Sequence, residues 1–301
     1  MNTHYPATPR RPAPVRMREY SRQKRNPGRL AFSCALIFLP LLCLCFVSSL
    51  YFLAPGRTNI LLLGIDYSDP SGNLSRTDTM ILATFLPDQP YVGLLSIPRD
   101  LWVTLPGGGE NRINTAHFFA EAAHPGSGPG AALETVRSNF RVNVQYYVRM
   151  RFEGFRNIVD ALGGVDIRLP EDMAGYPAGF HHLTGNKALA FVGNRSNSDD
   201  FFRMQHTQLM IKAIYTTAIK PGNWIRLPAV FNAATRSIDT NIPAWLWPRL
   251  ALTFLRVGPD NIDGASISRE LVIPFTTSEG ASVLAPRWEK IYPLVEEMFG
   301  Q

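Results

Sequence analysis

The chain has few cysteines, and they are confined to one place. All three, Cys34, Cys43 and Cys45, lie in a single apolar stretch near the N-terminus. The rest of the chain therefore uses neither a disulfide nor a thiol nucleophile. Its stability must come from ordinary burial, and a hydrophobic content of 46% supports a large core.

Net charge is scarce beyond the N-terminus. Residues 1–29 carry seven arginines and one lysine against one glutamate, whereas the whole chain has a net charge of +6. Residues 30–301 therefore have a net charge of −1. A nearly neutral main part argues against the basic groove of a nucleic-acid-binding protein.

Charge is absent altogether from Leu30 to Ala54. At ~1.5 Å per residue, a helix of this stretch spans the ~30 Å hydrocarbon core of a bilayer. The alternative is a cleaved signal peptide, but the apolar run is long and no clear cleavage site follows it. We therefore expect an uncleaved transmembrane signal-anchor at 30–54. The positive-inside rule places a basic, disordered tail, 1–29, in the cytoplasm and the rest of the chain outside the cell membrane.

The common catalytic motifs are also missing. The sequence contains no nucleophile elbow of the GxSxG type, no HExxH zinc motif, no phosphate-binding P-loop and no Ser/His/Asp order typical of a triad. His181 and His182 are adjacent in a predicted loop, where they cannot easily chelate one ion. These absences argue against serine hydrolases, zinc proteases and P-loop NTPases.

Three short apolar runs near the start of the main part predict buried strands. They are Ile60–Ile65, Met80–Phe85 and Tyr91–Ile97. Charged residues stand at their ends, where a buried strand has no structural use for charge. These residues are Asp66, Arg76, Asp78 and Arg99.

The two carboxylates suggest a metal site. Mg²⁺ is usually held by one or two carboxylates together with phosphate oxygens, and Asp66 and Asp78 would suit it. The alternative is purely structural: Asp66 caps a turn, and Asp78 pairs with Arg76 or Arg99. Spacing alone leaves both interpretations open.

The arginines suggest a phosphate cradle, because a guanidinium fits phosphate oxygens bidentately. Arg195 and Arg203 flank a polar loop that could direct them towards Arg76 and Arg99. The alternative for each is a solvated surface charge. Asp199 and Asp200 open the longest predicted helix, and helix-dipole and capping interactions explain part of their position.

Strand and helix patterns alternate along the rest of the chain. A helix is predicted at Asp200–Lys220, and another at Pro286–Phe299 that Pro293 breaks or bends. The pattern predicts an α/β protein, a layered α-β-α sandwich around a mixed central sheet. We expect one extracytoplasmic domain over residues 57–301.

Motifs over residues 58–220 resemble the LytR–CpsA–Psr family. In chain order they read NILLLGID, RTDTMIL, LLSIPRD, RINTAH, YYVRMRFEGFRNIVDALGGVDI, LTGNKALAFV followed by NR, and DDFFRMQ. The set is specific, because SIPRD stands between RTDTM and the later IVDALGGV. An N-terminal anchor with an outward domain also fits this family.

The resemblance implies a phosphotransferase that moves a glycopolymer from a polyprenyl-pyrophosphate carrier to peptidoglycan. It implies that the polyprenyl chain lies in an apolar tunnel and that Mg²⁺ lies on Asp66 and Asp78. It assigns pyrophosphate contacts to Arg76, Arg99, Arg195 and Arg203. It also assigns Asp100 a part in catalysis, either in orienting Arg99 or in deprotonating the acceptor hydroxyl.

The chain departs from the family pattern at two places. Gly193 stands where the family has the first arginine of an Arg-x-Arg pair, and His206-Thr207 replaces part of an Arg-Gln-Gln sequence. Arg149, Arg151 or Lys187 are candidates to compensate. The departures keep two alternatives open: a non-catalytic or regulatory protein that binds polyprenyl phosphates, and a hydrolase of the same pyrophosphate carrier.

Overall fold

The computed structural model describes residues 38–49, 56–66, 74–87, 89–194 and 200–300. The chain forms two units, Met1–Leu50 and Tyr51–Gln301. In the first, residues 38–49 are helical (α1). The predicted tail 1–29 and the remainder of the predicted anchor 30–54 lie outside the described residues. Within the described residues, no helix combines the length and apolar character that crossing a membrane requires.

The second unit contains twelve strands and eight α-helices in its described residues. The strands are β1 (Thr58–Ile65), β2 (Thr77–Leu86), β3 (Tyr91–Ile97), β4 (Trp102–Thr104), β5 (Glu110–Arg112), β6 (Tyr146–Arg151), β7 (Val165–Leu169), β8 (Gly179–Leu183), β9 (Ile238–Thr240), β10 (Ile262–Ser266), β11 (Val272–Thr276) and β12 (Ser282–Pro286). The helices are α2 (Thr115–Ala123), α3 (Gly128–Phe140), α4 (Phe152–Leu162), α5 (Gly185–Val192), α6 (Asp200–Ile219), α7 (Leu227–Ser237), α8 (Trp247–Val257) and α9 (Trp288–Phe299). Short 3-10 helices cover Pro221–Arg226, Ala244–Leu246, Pro259–Asn261 and Arg269–Leu271.

A six-stranded sheet of order β10-β3-β2-β1-β6-β9 forms the centre. β1, β2 and β3 are antiparallel neighbours, whereas β6 runs parallel to β1 and β10 runs parallel to β3. The sheet is therefore mixed, as predicted. The three apolar runs form its middle because their side chains are buried on both faces: Leu61, Leu82 and Leu95 have no exposed surface.

The two faces of the sheet are covered by different helices. Alternate strand residues such as Leu61 and Leu63 pack with α3 and α9, in a core that includes Phe140 and Ile291. Residues of the opposite register pack with α6 and α8 in two smaller clusters. Helices α4 and α5 pack on α6 and on the β7-β8 pair in a further cluster. This arrangement is the predicted α-β-α sandwich.

The direction of the strands defines two edges. β1 and β6 begin side by side, with Ile60 paired to Tyr146, at what we call the amino edge. They end with Ile65 paired to Arg151, at the carboxyl edge. Because β3 runs antiparallel to β2, it also ends at the carboxyl edge.

One local expectation is wrong: His181 and His182 belong to β8, which pairs antiparallel with β7, and not to a loop. Of the two effects predicted for Pro293, a break is absent, because helix α9 is continuous from Trp288 to Phe299. The side chains of Ile291 and Val295, on either side of Pro293, are buried in the core, and this packing compensates for the hydrogen bond that proline removes.

Candidate active site

The predicted charged residues of the first three strands meet at the carboxyl edge. Asp66 directly follows β1, Asp78 is the second residue of β2, and Arg99 lies just after β3. Ile65 pairs with Thr77, and the register shifts between Gly64 and Ile65, so the end of β1 lies against the start of β2. Antiparallel pairing thus brings residues far apart in sequence to one place.

Arg99 is the centre of this edge. Its Nη1 donates a hydrogen bond of 2.6 Å to Oδ1 of Asp78. Its Nε lies 3.4 Å from a carboxylate oxygen of Asp200 and 3.6 Å from one of Asp100. Burial alone would lower the pKa of Arg99, but the hydrogen bond to Asp78 and the neighbouring carboxylates raise it. The structure therefore realises the ion pair that the sequence left open as an alternative for Asp78.

Helix α6 supplies the opposite side of the site, which we call the helix side. Nη2 of Arg203 donates to the backbone oxygen of Asp78 at 3.0 Å and also to the carboxylate of Asp200. Arg203 is buried, so this guanidinium joins the helix to β2. Any contact between Arg203 and a phosphate would use the remaining part of its fork.

Asp200 is a site residue for which the sequence indicates only helix-dipole and capping interactions as a partial explanation. Its carboxylate contacts both Arg99 and Arg203. Burial raises the pKa of Asp200, and the two guanidiniums counteract only part of that increase. The signal in the sequence was an aspartate three positions before Arg203, which places both side chains on one face of a helix.

Asp100 lies beside a further cation. Oδ1 of Asp100 is 3.1 Å from Nε of Arg112, and Oδ2 faces Arg99. Its carboxylate is thus held between two guanidiniums, an arrangement that orients Arg99.

Arg76 is exposed, with its guanidinium 5.9 Å from the ring centre of Phe118. Arg195 lies outside the described residues.

The two predicted metal ligands, Asp66 and Asp78, are the carboxylates to test for a magnesium site at this edge. In the described ranges, no three side chains of ligand type (His, Cys, Asp or Glu) are grouped closely enough to hold a metal on their own. Two carboxylates, Asp66 and Asp78, stand at one strand pair, and Asp78 already accepts a hydrogen bond from Arg99. Such a donor set suits a Mg²⁺ ion that takes its other ligands from water and substrate phosphate.

A buried ion network lies next to the part of the site that the strands form, which we call the strand side. Nη1 of Arg149 is 3.3 Å from Glu121 and 3.2 Å from Nε2 of His117, and Nη2 is 2.6 Å from Asp239. The other ring nitrogen of His117 is 2.9 Å from the backbone oxygen of Ser75, the residue before Arg76. Both terminal nitrogens of Arg149 are therefore engaged in this network. Arg151 ends β6 at the carboxyl edge and is exposed.

An apolar cavity of about 190 Å³ opens between the sheet and helices α4 and α6. A narrow polar cleft next to it includes Asp78, Asp200 and Arg203. Both spaces share Thr79, Ile81 and Thr207. Charged groups and an apolar cavity are thus adjacent, which suits a ligand with a phosphate head and a hydrocarbon chain. The cavity is lined by Leu62, Leu63, Gly64, Thr79, Ile81, Val148, Met150, Arg151, Phe152, Phe155, Val192, Thr207, Met210, Ile211 and Ile214.

The positions that depart from the family pattern have structural roles. His206 is buried with its ring 4.9 Å from that of Phe191, and its Nδ1 has no hydrogen-bond partner in the described part of the chain. The hydroxyl of Thr207 donates to the backbone oxygen of Arg203 at 2.8 Å. Gly193 is exposed and caps the end of α5. The ring of His206 therefore packs inside the fold, and the hydroxyl of Thr207 is engaged with the backbone of α6.

Comparisons with known proteins agree with this fold. The family model of the LytR_cpsA_psr family matches residues 47–298. A polyisoprenyl-teichoic acid–peptidoglycan teichoic acid transferase, TagU of Oceanobacillus iheyensis, is 32% identical over 190 residues, which cover 61% of this chain and 58% of that protein. The regulatory protein MsrR of Staphylococcus aureus is 28% identical over 62% of this chain and 57% of its own length.

Among solved structures, TagV of Bacillus subtilis matches with a TM-score of 0.64 and 25% identity, over 81% of this chain and 97% of that one. The chain spans little more than half the length of TagU and of MsrR. The family match, however, extends over most of the chain and includes every strand of the central sheet and both sides of the charged edge. The chain therefore belongs to the LytR_cpsA_psr family.

Proposed function

We propose that this protein transfers a glycopolymer from a polyprenyl-pyrophosphate carrier to peptidoglycan, with Mg²⁺, at the outer face of the cell membrane. The observation that carries the proposal is the charged cleft lined by Asp78, Asp200 and Arg203, which shares its wall with an apolar cavity. Arg99 contacts both carboxylates of this cleft. The names of TagU and its relatives support the same reaction class. The uncharged segment 30–54 supports the membrane location.

In the proposed reaction, a hydroxyl oxygen of the acceptor attacks the phosphorus that carries the glycan. An oxygen–phosphorus bond forms and the bridging phosphorus–oxygen bond breaks, so polyprenyl monophosphate leaves with the bridging oxygen. The proton of the acceptor hydroxyl passes to a carboxylate of the carboxyl edge, for which Asp100 is the candidate. Phosphoryl transfer needs mainly positioning and charge neutralisation, and the protein groups present provide both.

Each charged residue has a specific part in this proposal. Arg99 neutralises developing charge on the phosphate oxygens while Asp78 and Asp100 fix its orientation. Arg203 holds α6 against β2, and Arg76 is exposed and available for a second phosphate. Mg²⁺ on Asp66 and Asp78 would neutralise further phosphate charge when bound.

The test is transfer of a lipid-pyrophosphate-linked glycan to peptidoglycan fragments by the purified full chain. We expect a glycan–peptidoglycan product that needs Mg²⁺ and is lost on chelation. Release of polyprenyl monophosphate without acceptor would instead identify a hydrolase.

A second candidate function is non-catalytic binding of polyprenyl phosphates in regulation. Two observations favour it: Gly193 and His206 remove polar groups from the helix side, and a similar protein, MsrR, is named a regulatory protein. Lipid retained through purification, with no turnover of any donor, would support this function and contradict transfer.

A further inference from the structure

A run of exposed, large apolar side chains covers the segment 221–257, which the proposed reaction does not use. Ile225 is 85% exposed, Phe231 is 71% exposed and Trp245 is 61% exposed. Apolar side chains of this size and number seldom face water together without a partner. We call this set the aromatic surface; its members are Trp224, Ile225, Leu227, Phe231, Trp245, Trp247, Phe254 and Leu255.

The helices of this segment turn apolar residues away from the core. In α8, Trp247, Phe254 and Leu255 occupy positions i, i+7 and i+8 on the exposed side, whereas Thr253 and Val257 are buried. α7 has no buried residue at all, and its Leu227 and Phe231 are one helical turn apart. Each helix thus carries an outward apolar stripe in addition to its contacts with the protein.

Cations accompany these stripes. The segment 220–257 contains five basic residues and a single carboxylate, that of Asp239. Tryptophan and phenylalanine beside lysine and arginine are the pattern of helices that lie in the interface of an anionic membrane. The basic residues are Lys220, Arg226, Arg236, Arg249 and Arg256.

The part of the aromatic surface that includes α8 and Trp245 lies at the amino edge of the sheet. Nη2 of Arg249 in α8 is 3.4 Å from the backbone oxygen of Gly56, which stands just before β1. Ile242 and Leu246, which flank Trp245, pack on Ile60. In sequence, Gly56 follows the uncharged segment 30–54 after a single residue. The chain therefore enters the domain beside α8.

We propose that the aromatic surface docks into the headgroup region of an anionic lipid bilayer, in addition to any N-terminal anchor. The tryptophan and phenylalanine rings enter the boundary between headgroups and acyl chains, and exposed Arg256 at the end of α8 meets lipid phosphates. This contact holds the amino edge against the bilayer and turns the carboxyl edge, with Arg99, away from it. The proposal does not depend on the transfer reaction.

The test uses the full chain in vesicles whose lipids carry brominated acyl chains, which quench tryptophan fluorescence at short range. The chain has five tryptophans, so paired substitutions locate the quenched ones. We expect W245F/W247F to lose most of the lipid-dependent quenching. The matched control is W102F/W288F, which removes two indoles outside the aromatic surface. Trp102 begins β4, two residues after Asp100, and Trp288 packs on the other face of the sheet. It should leave quenching of the remaining indoles intact.

Charge gives a second readout. Quenching should be stronger in vesicles that contain phosphatidylglycerol than in phosphatidylcholine alone, and R256E should reduce that difference. Equal loss of quenching in the two paired variants would overturn the proposal. So would unquenched Trp245 and Trp247 together with a doubled particle mass in detergent, since that result would identify a second copy of the chain as the partner.

Discussion

The strand side and the helix side of the candidate site are built differently. On the strand side, the side chains of Arg99 and Asp100 remain 27% and 31% exposed, and the segment before Arg76 is fixed by the buried network of His117 and Arg149. On the helix side, Arg203 is turned inward to Asp78 and Asp200. His206, one turn further along α6, is buried among apolar groups with an unpartnered nitrogen.

The difference shows that different residues of the site serve the reaction and the stability of the fold. The strand side keeps its charged groups accessible because buried ion pairs behind it supply the rigidity. The helix side uses its own charged residues for rigidity and so has fewer to offer a substrate. If this comparison is correct, substitutions on the strand side should cause large losses of stability or activity. Substitutions on the helix side should cause smaller changes in either.

The largest effect is expected from Arg149→Met. Arg149 and Glu121 are both buried, and removal of the cation leaves a carboxylate without its charge partner. Breaking such a pair costs about 3–5 kcal/mol of folding free energy. Thermal unfolding measures it, with a fall in Tm of roughly 10 °C. The control is Arg156→Met, which removes an exposed pair with Glu153 and should cost less than about 1 kcal/mol. Equal losses of Tm in both variants would show that the network of Arg149 does not stabilise the fold more than a surface ion pair does.

Arg99→Ala is expected to have the next largest effect. Arg99 contacts carboxylates of both sides, and its removal takes away the cation that is paired with Asp78 and Asp200. Loss of one preorganised charge stabiliser lowers the rate by roughly 10²–10³. The measurement is kcat/KM for glycan transfer, with Tm as a check on folding. Arg137→Ala, which changes an exposed pair on α3, serves as the control. Transfer by Arg99→Ala at the parent rate would remove Arg99 from the site.

The strand side could largely be predicted from the sequence. Its residues stand at the ends of apolar runs, and antiparallel pairing of consecutive strands must bring such ends together. The prediction of a mixed sheet with helices on both faces rests on the same local patterns, because buried strands and amphipathic helices have different periods.

The helix side could not be predicted in the same way. An aspartate at the start of a helix is sufficiently explained by capping, so nothing local shows that Asp200 contacts Arg99, which lies far away in the sequence. The buried network of Arg149 was missed for the same reason, since Glu121, Asp239 and Arg149 meet only through the tertiary fold. The β-strand that contains His181 and His182 depends on pairing with β7, which no single-strand pattern indicates.

A smaller effect, and an increase, is expected from Gly193→Arg. Gly193 has φ −88° and is exposed, so a side chain fits the backbone, with only the oxygen of Leu189 close to a new Cβ at 3.1 Å. An added guanidinium would supply a charged hydrogen bond on the helix side, worth about tenfold in rate. The assay is the same transfer reaction. Gly193→Gln is the matched variant, with a comparable backbone change and no charge. If both variants behave alike, the glycine does not limit the reaction.

The smallest effect concerns His206 and the dependence of stability on pH. Burial lowers the pKa of His206 below the ordinary value of 6.5, so the folded protein favours the neutral ring. The unfolded chain then binds a proton before the folded protein does. The contribution of His206 to stability is therefore present above pH 6.5 and is lost as the pH falls through its lowered folded pKa, at up to about 1.4 kcal/mol per pH unit.

His206→Gln should flatten this decline without removing it, because burial also lowers the pKa of His117. The measurement is the free energy of unfolding between pH 8 and pH 5, with exposed His124→Gln as the control. The amide of glutamine does not titrate, so a smaller slope assigns the difference to the imidazole of His206. An unchanged slope would mean that His206 gains a proton in the folded protein as readily as in the unfolded chain. The helix side would then tolerate charge at this position, and the contrast with the strand side would rest on Arg203 and Asp200 alone.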